Sequence, residues 1–190
     1  SDIVNIPDPN LLLKVRQAIN KPTGIIYYMD VKNLDELDAP SSSIQSLIGL
    51  QYFTGLDSLY LAANSISDLA PLQNLTNLQE LVVEQNNISN ISPLQSMTGL
   101  KWLYLGDNQI SNVAPLFNLT NLRGLGLEGC QLSDIGFLQN FTLLQDLSLH
   151  NNNISNLAPL QNLTLIKNLS LSYNQVSSIT PLQNLTALKT

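Results

Sequence analysis

The sequence predicts an α/β solenoid, with a curved parallel β-sheet on its concave face, 3-10 or extended turns on its convex face and a helical cap at its N-terminal end. Three observations predict it. A segment of 22 residues rich in leucine returns until the chain stops, apolar residues alternate over the start of each copy, and a Pro-Leu turn leading to Asn-Leu-Thr closes most copies. Leu59, Leu81, Leu103, Leu125, Leu147 and Leu169 keep the 22-residue step, and Leu61, Val83, Leu105, Leu127, Leu149 and Leu171 follow two residues behind. A fixed period of this size means that each copy is one unit unable to bury its apolar side alone, so the copies stack.

Residues 1–33 form the N-terminal cap. Asp8 can accept the first free N–H groups of a helix, Pro9 suits its first position, and Leu11, Leu12, Val15, Ala18 and Ile19 line one side until Asn20-Lys21-Pro22-Thr23-Gly24 ends it. Such a cap shields the inward leucines of the first coil from water. Ile25-Ile26-Tyr27-Tyr28-Met29 reads as a short extended connection. The array then occupies 34–190. Leu34, Leu37, Ala39, Ser42, Ile44, Leu47, Leu50 and Phe53 stand 22 residues ahead of their counterparts from Leu56 onward, so 34–55 is a degenerate first coil and about seven coils run through residue 187. Within each, the stretch around Leu59-Tyr60-Leu61 alternates as a strand, and the stretch from Pro71 turns back on the far side through short 3-10 or extended pieces, since 22 residues leave little room for a helix. Leu188 opens an eighth coil that is not completed, leaving the C-terminal end uncapped. The expectation is a piece of a longer chain, or self-association through that C-terminal face.

Composition excludes several functions. The chain has 190 residues, 44% of them apolar, which suffices for one continuous core. A net charge of −6 with only eight Lys and Arg argues against nucleic acid as a partner. No apolar run approaches a membrane span, so no membrane insertion is expected, and Ser1-Asp2-Ile3-Val4-Asn5 lacks the layout of an export signal, which was removed or never existed. A single cysteine permits no internal disulfide. No cluster of Cys and His, glycine-rich phosphate loop or nucleophile triad is present, so neither metal nor cofactor nor enzymatic activity is expected.

Two further columns carry structure. Asn64, Asn86, Asn108, Cys130, Asn152 and Asn174 are 22 residues apart, where a buried side-chain amide can satisfy turn backbone of its own coil and the next; Cys130 can make weaker versions of those bonds and has no base arranged to activate it. Asn-Leu-Thr at Asn74, Asn118, Asn162 and Asn184, and Asn140-Phe141-Thr142, match the glycan acceptor rule, but they recur because the coil recurs and read as convex turn chemistry.

Outward strand positions have no such duty. Tyr60, Val82, Trp102 and Tyr104 form an aromatic and apolar patch there, ringed by Glu80, Glu84, Asp107 and Glu128, beside a notch expected where the next coil shows Gly124 and Gly126. Aromatic anchors in a polar rim are the make-up of a protein-binding hot spot, although aromatics are also tolerated on strands for their β propensity. His150 and Tyr173 extend the same surface, with His150 facing solvent or a partner and not a metal.

Leu56, Leu59, Leu61, Asn64 and Ile66 and their copies follow the pattern L-x-x-L-x-L-x-x-N/C-x-L. Ile6-Pro7-Asp8-Pro9-Asn10-Leu11 leads into the cap helix, and Asn86-Asn87-Ile88-Ser89-Asn90-Ile91-Ser92-Pro93-Leu94 and its copies, including Ile66-Ser67-Asp68-Leu69-Ala70-Pro71-Leu72-Gln73-Asn74-Leu75-Thr76, recur through the array. The chain resembles the internalin-type, 22-residue branch of bacterial leucine-rich-repeat proteins over residues 3–190. The resemblance implies a secreted or surface-attached bacterial protein, often an adhesin, that binds a host or cell-surface protein through its concave face at Tyr60, Val82, Trp102, Tyr104 and Tyr173. Phe137 in place of the turn proline, and Met97 and Phe141 at the convex leucine, depart from the pattern. The alternative is an intracellular scaffold similar to the repeat-containing regulatory subunits of phosphatases; a third reading is an enzyme's targeting domain.

Overall fold

Asp8 and Pro9 start the first element. In the computed structural model, which describes residues 2–189, helix α1 (Pro9–Ala18) begins where Asp8 Oδ1 accepts the N–H groups of Asn10 and Leu11 at 2.9 and 3.0 Å. Leu11 and Val15 are fully buried, and Leu12 and Ile19 pack at the margin of the same core. The other carboxylate oxygen, Oδ2, accepts from the N–H groups of Gln45 and Ser46 at 2.8 and 3.0 Å. One side chain therefore caps the helix and bolts it to the first coil. Burial by itself raises the Asp8 pKa, but the donors from Leu11, Gln45, Ser46 and Asn10 together outweigh it and hold the carboxyl below its ordinary 3.8.

The connection after α1 is extended only in part. Ile3 and Tyr27 form an antiparallel bridge, with Val4 N–H on Ile26 C=O and Tyr28 N–H on Asp2 C=O, both at 2.9 Å. Tyr28 and Met29, expected to be extended, belong instead to a single helical turn, α2 (Tyr28–Val31). Asp30 is the cause: its carboxylate accepts the Tyr27 N–H at 2.8 Å and pairs with Lys21 at 2.6 Å, closing the turn.

Seven strands follow: β1 (Glu36–Asp38), β2 (Ser58–Tyr60), β3 (Glu80–Val82), β4 (Trp102–Tyr104), β5 (Gly124–Gly126), β6 (Asp146–Ser148) and β7 (Asn168–Ser170). They form one parallel sheet in chain order, in which Leu37, Leu59, Leu81, Leu103, Leu125, Leu147 and Leu169 stand side by side. The side-chain period of two puts each central leucine inward and its neighbours outward. On the convex side each coil closes with a 3-10 turn, for example Ala70–Leu72, Ser92–Leu94, Ala114–Leu116 and Ala158–Leu160. Asp68, Asn90, Asn112, Asp134 and Asn156 start these turns by accepting the N–H two residues on, at 2.8–3.0 Å. Where Phe137 replaces the proline the turn lengthens to Gly136–Asn140.

Between strand and convex turn, the chain reverses through a left-handed residue in every coil: Ser41, Ala63, Gln85, Asp107, Gly129, Asn151 and Tyr173, with φ between 48° and 64°; the first and fifth coils add a second, Ser43 and Gln131, at 57° and 58°. The asparagine that follows secures this strained corner. Asn108 Nδ2 donates to Leu105 C=O of its own coil and Val83 C=O of the previous one, each at 2.9 Å, and Oδ1 accepts the Ile88 N–H at 2.9 Å. Asn64, Asn86, Asn152 and Asn174 make the corresponding bonds. Cys130 is buried in the same column, with Sγ 3.5 Å from Glu128 C=O and 3.9 Å from Leu105 C=O. Burial, with smaller contributions from Glu128 and Asp107, pushes its thiol up to about 11 against a hydrogen bond from Asn108, and so favours the protonated thiol near neutral pH. In the seventh coil Leu169, Leu171, Val176 and Leu182 are only partly covered, and Ile179 is exposed. Among the described residues no helix is long and apolar enough to cross a membrane.

Candidate protein-binding surface

Each strand offers two outward side chains, and the register decides which of them meet. Tyr60, Val82 and Tyr104 are direct neighbours across β2, β3 and β4, as are Glu80 and Trp102 across β3 and β4. All are half-buried, not free in solvent. Tyr60 donates its hydroxyl to Glu80 at 2.9 Å. Burial, then this carboxylate, raises the Tyr60 pKa.

The notch expected at Gly124 and Gly126 is filled. A Cβ on Gly124 would stand 2.7 Å from the Tyr104 hydroxyl, and one on Gly126 would stand 2.8 Å from the Tyr104 ring, so the tyrosine lies across both glycines and buries them. Gly106 serves Glu128 in the same way, since a Cβ there would collide with the glutamate side chain. These glycines are the bare floor on which two larger side chains recline, and the absence of Cβ atoms is what permits it.

Glu128 folds back over Gly106 toward Glu84, two coils away in the same column. Its Oε2 is enclosed without a hydrogen-bond partner. Glu84 feels the consequence: burial first, then Glu128 and Asp107, raise its pKa. Burial likewise raises Tyr104, helped by Asp146, Glu80, Glu84 and Glu128. Among the described residues no cation pairs with these carboxylates. Lys101 and Lys167 instead donate to Gln79 and Gln145 along the sheet's margin, and the one ion pair among the described residues, Lys21–Asp30, lies in the cap.

The fold thus gathers Tyr60, Glu80, Val82, Glu84, Trp102, Tyr104, Asp107 and Glu128. His150 stands one coil beyond Glu128 with its Nδ1 3.1 Å from Ser148 Oγ, and Tyr173 stands apart at the left-handed corner of the seventh coil, 84% exposed. Sequence reasoning missed a depression of about 370 Å³ beyond Tyr104, lined by Asp146, Ser148, Asn168, Ser170 and Lys189. Its signal was the run of small outward residues in those coils. No group of three or more His, Cys, Asp or Glu among the described residues could hold a metal ion.

The family model described as Leucine Rich repeats (2 copies) matches residues 54–96, 98–140 and 120–162. An internalin (inlF) from Listeria monocytogenes is 35% identical over 96% of this chain and 55% of its own, with a TM-score of 0.92. Internalin C2 (inlC2) from the same species is 33% identical, over 96% of this chain and 91% of its own, with a TM-score of 0.76. The functional domain of InlJ from Listeria monocytogenes, which includes a cysteine ladder, shares the fold at 24% identity and a TM-score of 0.71, over 96% of this chain and 44% of its own. The chain therefore spans about half the length of the first of these and most of the second. No curated protein matches it. Such folds serve protein–protein interaction and are typically non-enzymatic. With its 22-residue period, helical start and asparagine column, the chain belongs to the leucine-rich-repeat family, as an internalin-type protein.

Proposed function

We propose that this chain is the recognition module of a secreted or bacterial surface protein and binds a protein partner through its concave face. The observation that carries the reading is the aromatic ridge of Tyr60, Trp102 and Tyr104, with Tyr104 held flat on Gly124 and Gly126. A side chain already fixed loses little freedom on binding, which is what an anchor needs. Glu80, Glu84, Asp107 and Glu128 around it, paired with no cation among the described residues, favour a partner that presents Lys or Arg. His150 and Tyr173 lie at the margin of the contact. The partly covered seventh coil supports self-association at that face, which sedimentation of the purified chain tests.

The deciding experiment titrates a candidate host or cell-surface protein into the native chain and into a Trp102→Ala, Tyr104→Ala variant. Binding should weaken by about 100-fold or more, as loss of two hot-spot anchors requires, while the melting temperature moves little. A variant that melts far lower yet binds as before would reassign both residues to structure.

A further inference from the structure

We propose that the solenoid contains a compliant joint between its fourth coil (100–121) and fifth coil (122–143), set by Cys130. The inference stands apart from what the concave face binds.

Neighbouring coils are stitched behind the sheet by a recurring pair of bonds. The asparagine Oδ1 of one coil accepts an N–H of the coil before it, and the next N–H donates to the C=O of that same earlier residue. Ile44 is held in this way by Asn64 and Ser65, Ile66 by Asn86 and Asn87, and Ile88 by Asn108 and Gln109. Leu132 is held by Asn152 and Asn153, and Ile154 by Asn174 and Gln175, and all ten bonds measure 2.8–2.9 Å. At Ile110 both bonds are missing: Cys130 offers no amide oxygen to its N–H, and Gln131 N–H does not reach its C=O. A thiol also has one hydrogen to donate where an amide has two, and its bonds here are long.

The gap extends outward. A groove of about 580 Å³ opens at this place, lined by Ile110, Val113, Phe117, Cys130, Leu132 and Phe137. The convex turns on either side, Ala114–Leu116 and Gly136–Asn140, approach each other less closely than any other pair of neighbouring turns. What spans them is a stack of the Phe117 and Phe137 rings, 5.9 Å between centroids and 18° apart in plane. These phenylalanines stand where the second coil has Gln73 and Pro71, so three departures from the repeat meet at one interface. Stacked rings can slide, whereas a hydrogen-bond ladder fixes register.

On the concave side the same two coils stay tied. Trp102, Leu103 and Tyr104 pair in register with Gly124, Leu125 and Gly126, and Asp107 N–H reaches Glu128 C=O at 2.7 Å. Bonds along one side and sliding rings along the other make a hinge whose axis is the sheet. Its motion changes the angle between the coils carrying Trp102 and Tyr104 and those carrying Asp146 and His150.

Paired spin labels on exposed convex threonines test this. Thr98→Cys with Thr164→Cys spans the joint; Thr54→Cys with Thr120→Cys spans an equal number of coils without crossing it. Cys130, enclosed, takes no label. The first pair should give a distance distribution roughly twice as wide as the second, and adding Cys130→Asn should narrow it to the width of the control. Equal widths, or a width unmoved by Cys130→Asn, would overturn the joint. In the unaltered chain, the Ile110 and Gln131 amides should exchange hydrogen about tenfold faster than those of Ile88 and Gln109, and equal protection would overturn it as well.

Discussion

Replacing Asp8 with alanine should detach the cap. The carboxylate accepts four backbone N–H bonds of 2.8–3.0 Å, two at the start of α1 and two from Gln45 and Ser46 in the first coil. Loss of a helix N-cap costs about 1 kcal/mol. The two cross-links are charge-assisted, yet Gln45 is exposed and water can replace part of what they give, so about 1–2 kcal/mol more is a fair expectation. For a chain of this size a total of about 2–3 kcal/mol lowers the melting temperature by about 5–10 °C. Urea unfolding followed by circular dichroism at neutral pH measures it. The effect should also depend on pH with a definite sign. The Asp8 carboxyl sits below its ordinary 3.8 in the folded chain, so its stabilisation is present above that value and is lost as pH falls through the lower folded pKa. Native protein and Asp8→Ala should therefore converge in strong acid. A variant within about 0.5 kcal/mol of native at neutral pH, or a difference indifferent to pH, would refute the reading that one carboxylate joins cap to coil.

Three other outcomes follow from the structure. Asn108→Ala removes bonds to Leu105, Val83 and the Ile88 N–H and leaves those groups buried, so urea titration should show a loss of about 2–4 kcal/mol. Gly126→Ala drives a Cβ to within 2.8 Å of the Tyr104 ring; partner affinity measured by calorimetry should fall while the far-ultraviolet spectrum stays native, and unchanged affinity would show that the pose of Tyr104 is irrelevant. Glu84 is destabilising when ionised, because its folded pKa is raised: its contribution is intact below the unfolded value near 4.5 and fades as pH rises through the folded one. Glu84→Gln should accordingly raise the melting temperature at pH 7 and change it little below pH 4, as a thermal scan at both values will show.

The fold was open to sequence reading because repetition multiplies a weak signal. A single Leu59-Tyr60-Leu61 is too short to identify as a strand, but six further copies in step leave only parallel stacking as a way to bury every leucine. Asp8 is a partial case. Its helix-capping role is local and follows from the residue before Pro9, whereas its grip on Gln45 and Ser46 joins residues 37 and 38 positions away, and no local pattern marks that. Tyr28 and Met29 were misread for a related reason: β-favouring side chains suggested extension, and the carboxylate of Asp30 with Lys21 drew the backbone into a turn.

At the concave face the register was legible and the relief was not. Alternation alone puts Trp102 and Tyr104 outward, as observed, but a glycine in a sequence reads as missing volume, and a neighbour long enough can occupy that volume. Whether Gly124 and Gly126 make a hole or a seat depends on the rotamer of Tyr104 one strand away, a choice that periodicity does not encode. The same holds for departures from the repeat. Phe117, Cys130 and Phe137 are scattered over 21 positions of sequence and look like unrelated tolerances. Stacking maps positions 22 apart onto neighbours and places them all on one interface, and since stability in such an array is a sum over interfaces, three tolerances at one junction weaken that junction and no other.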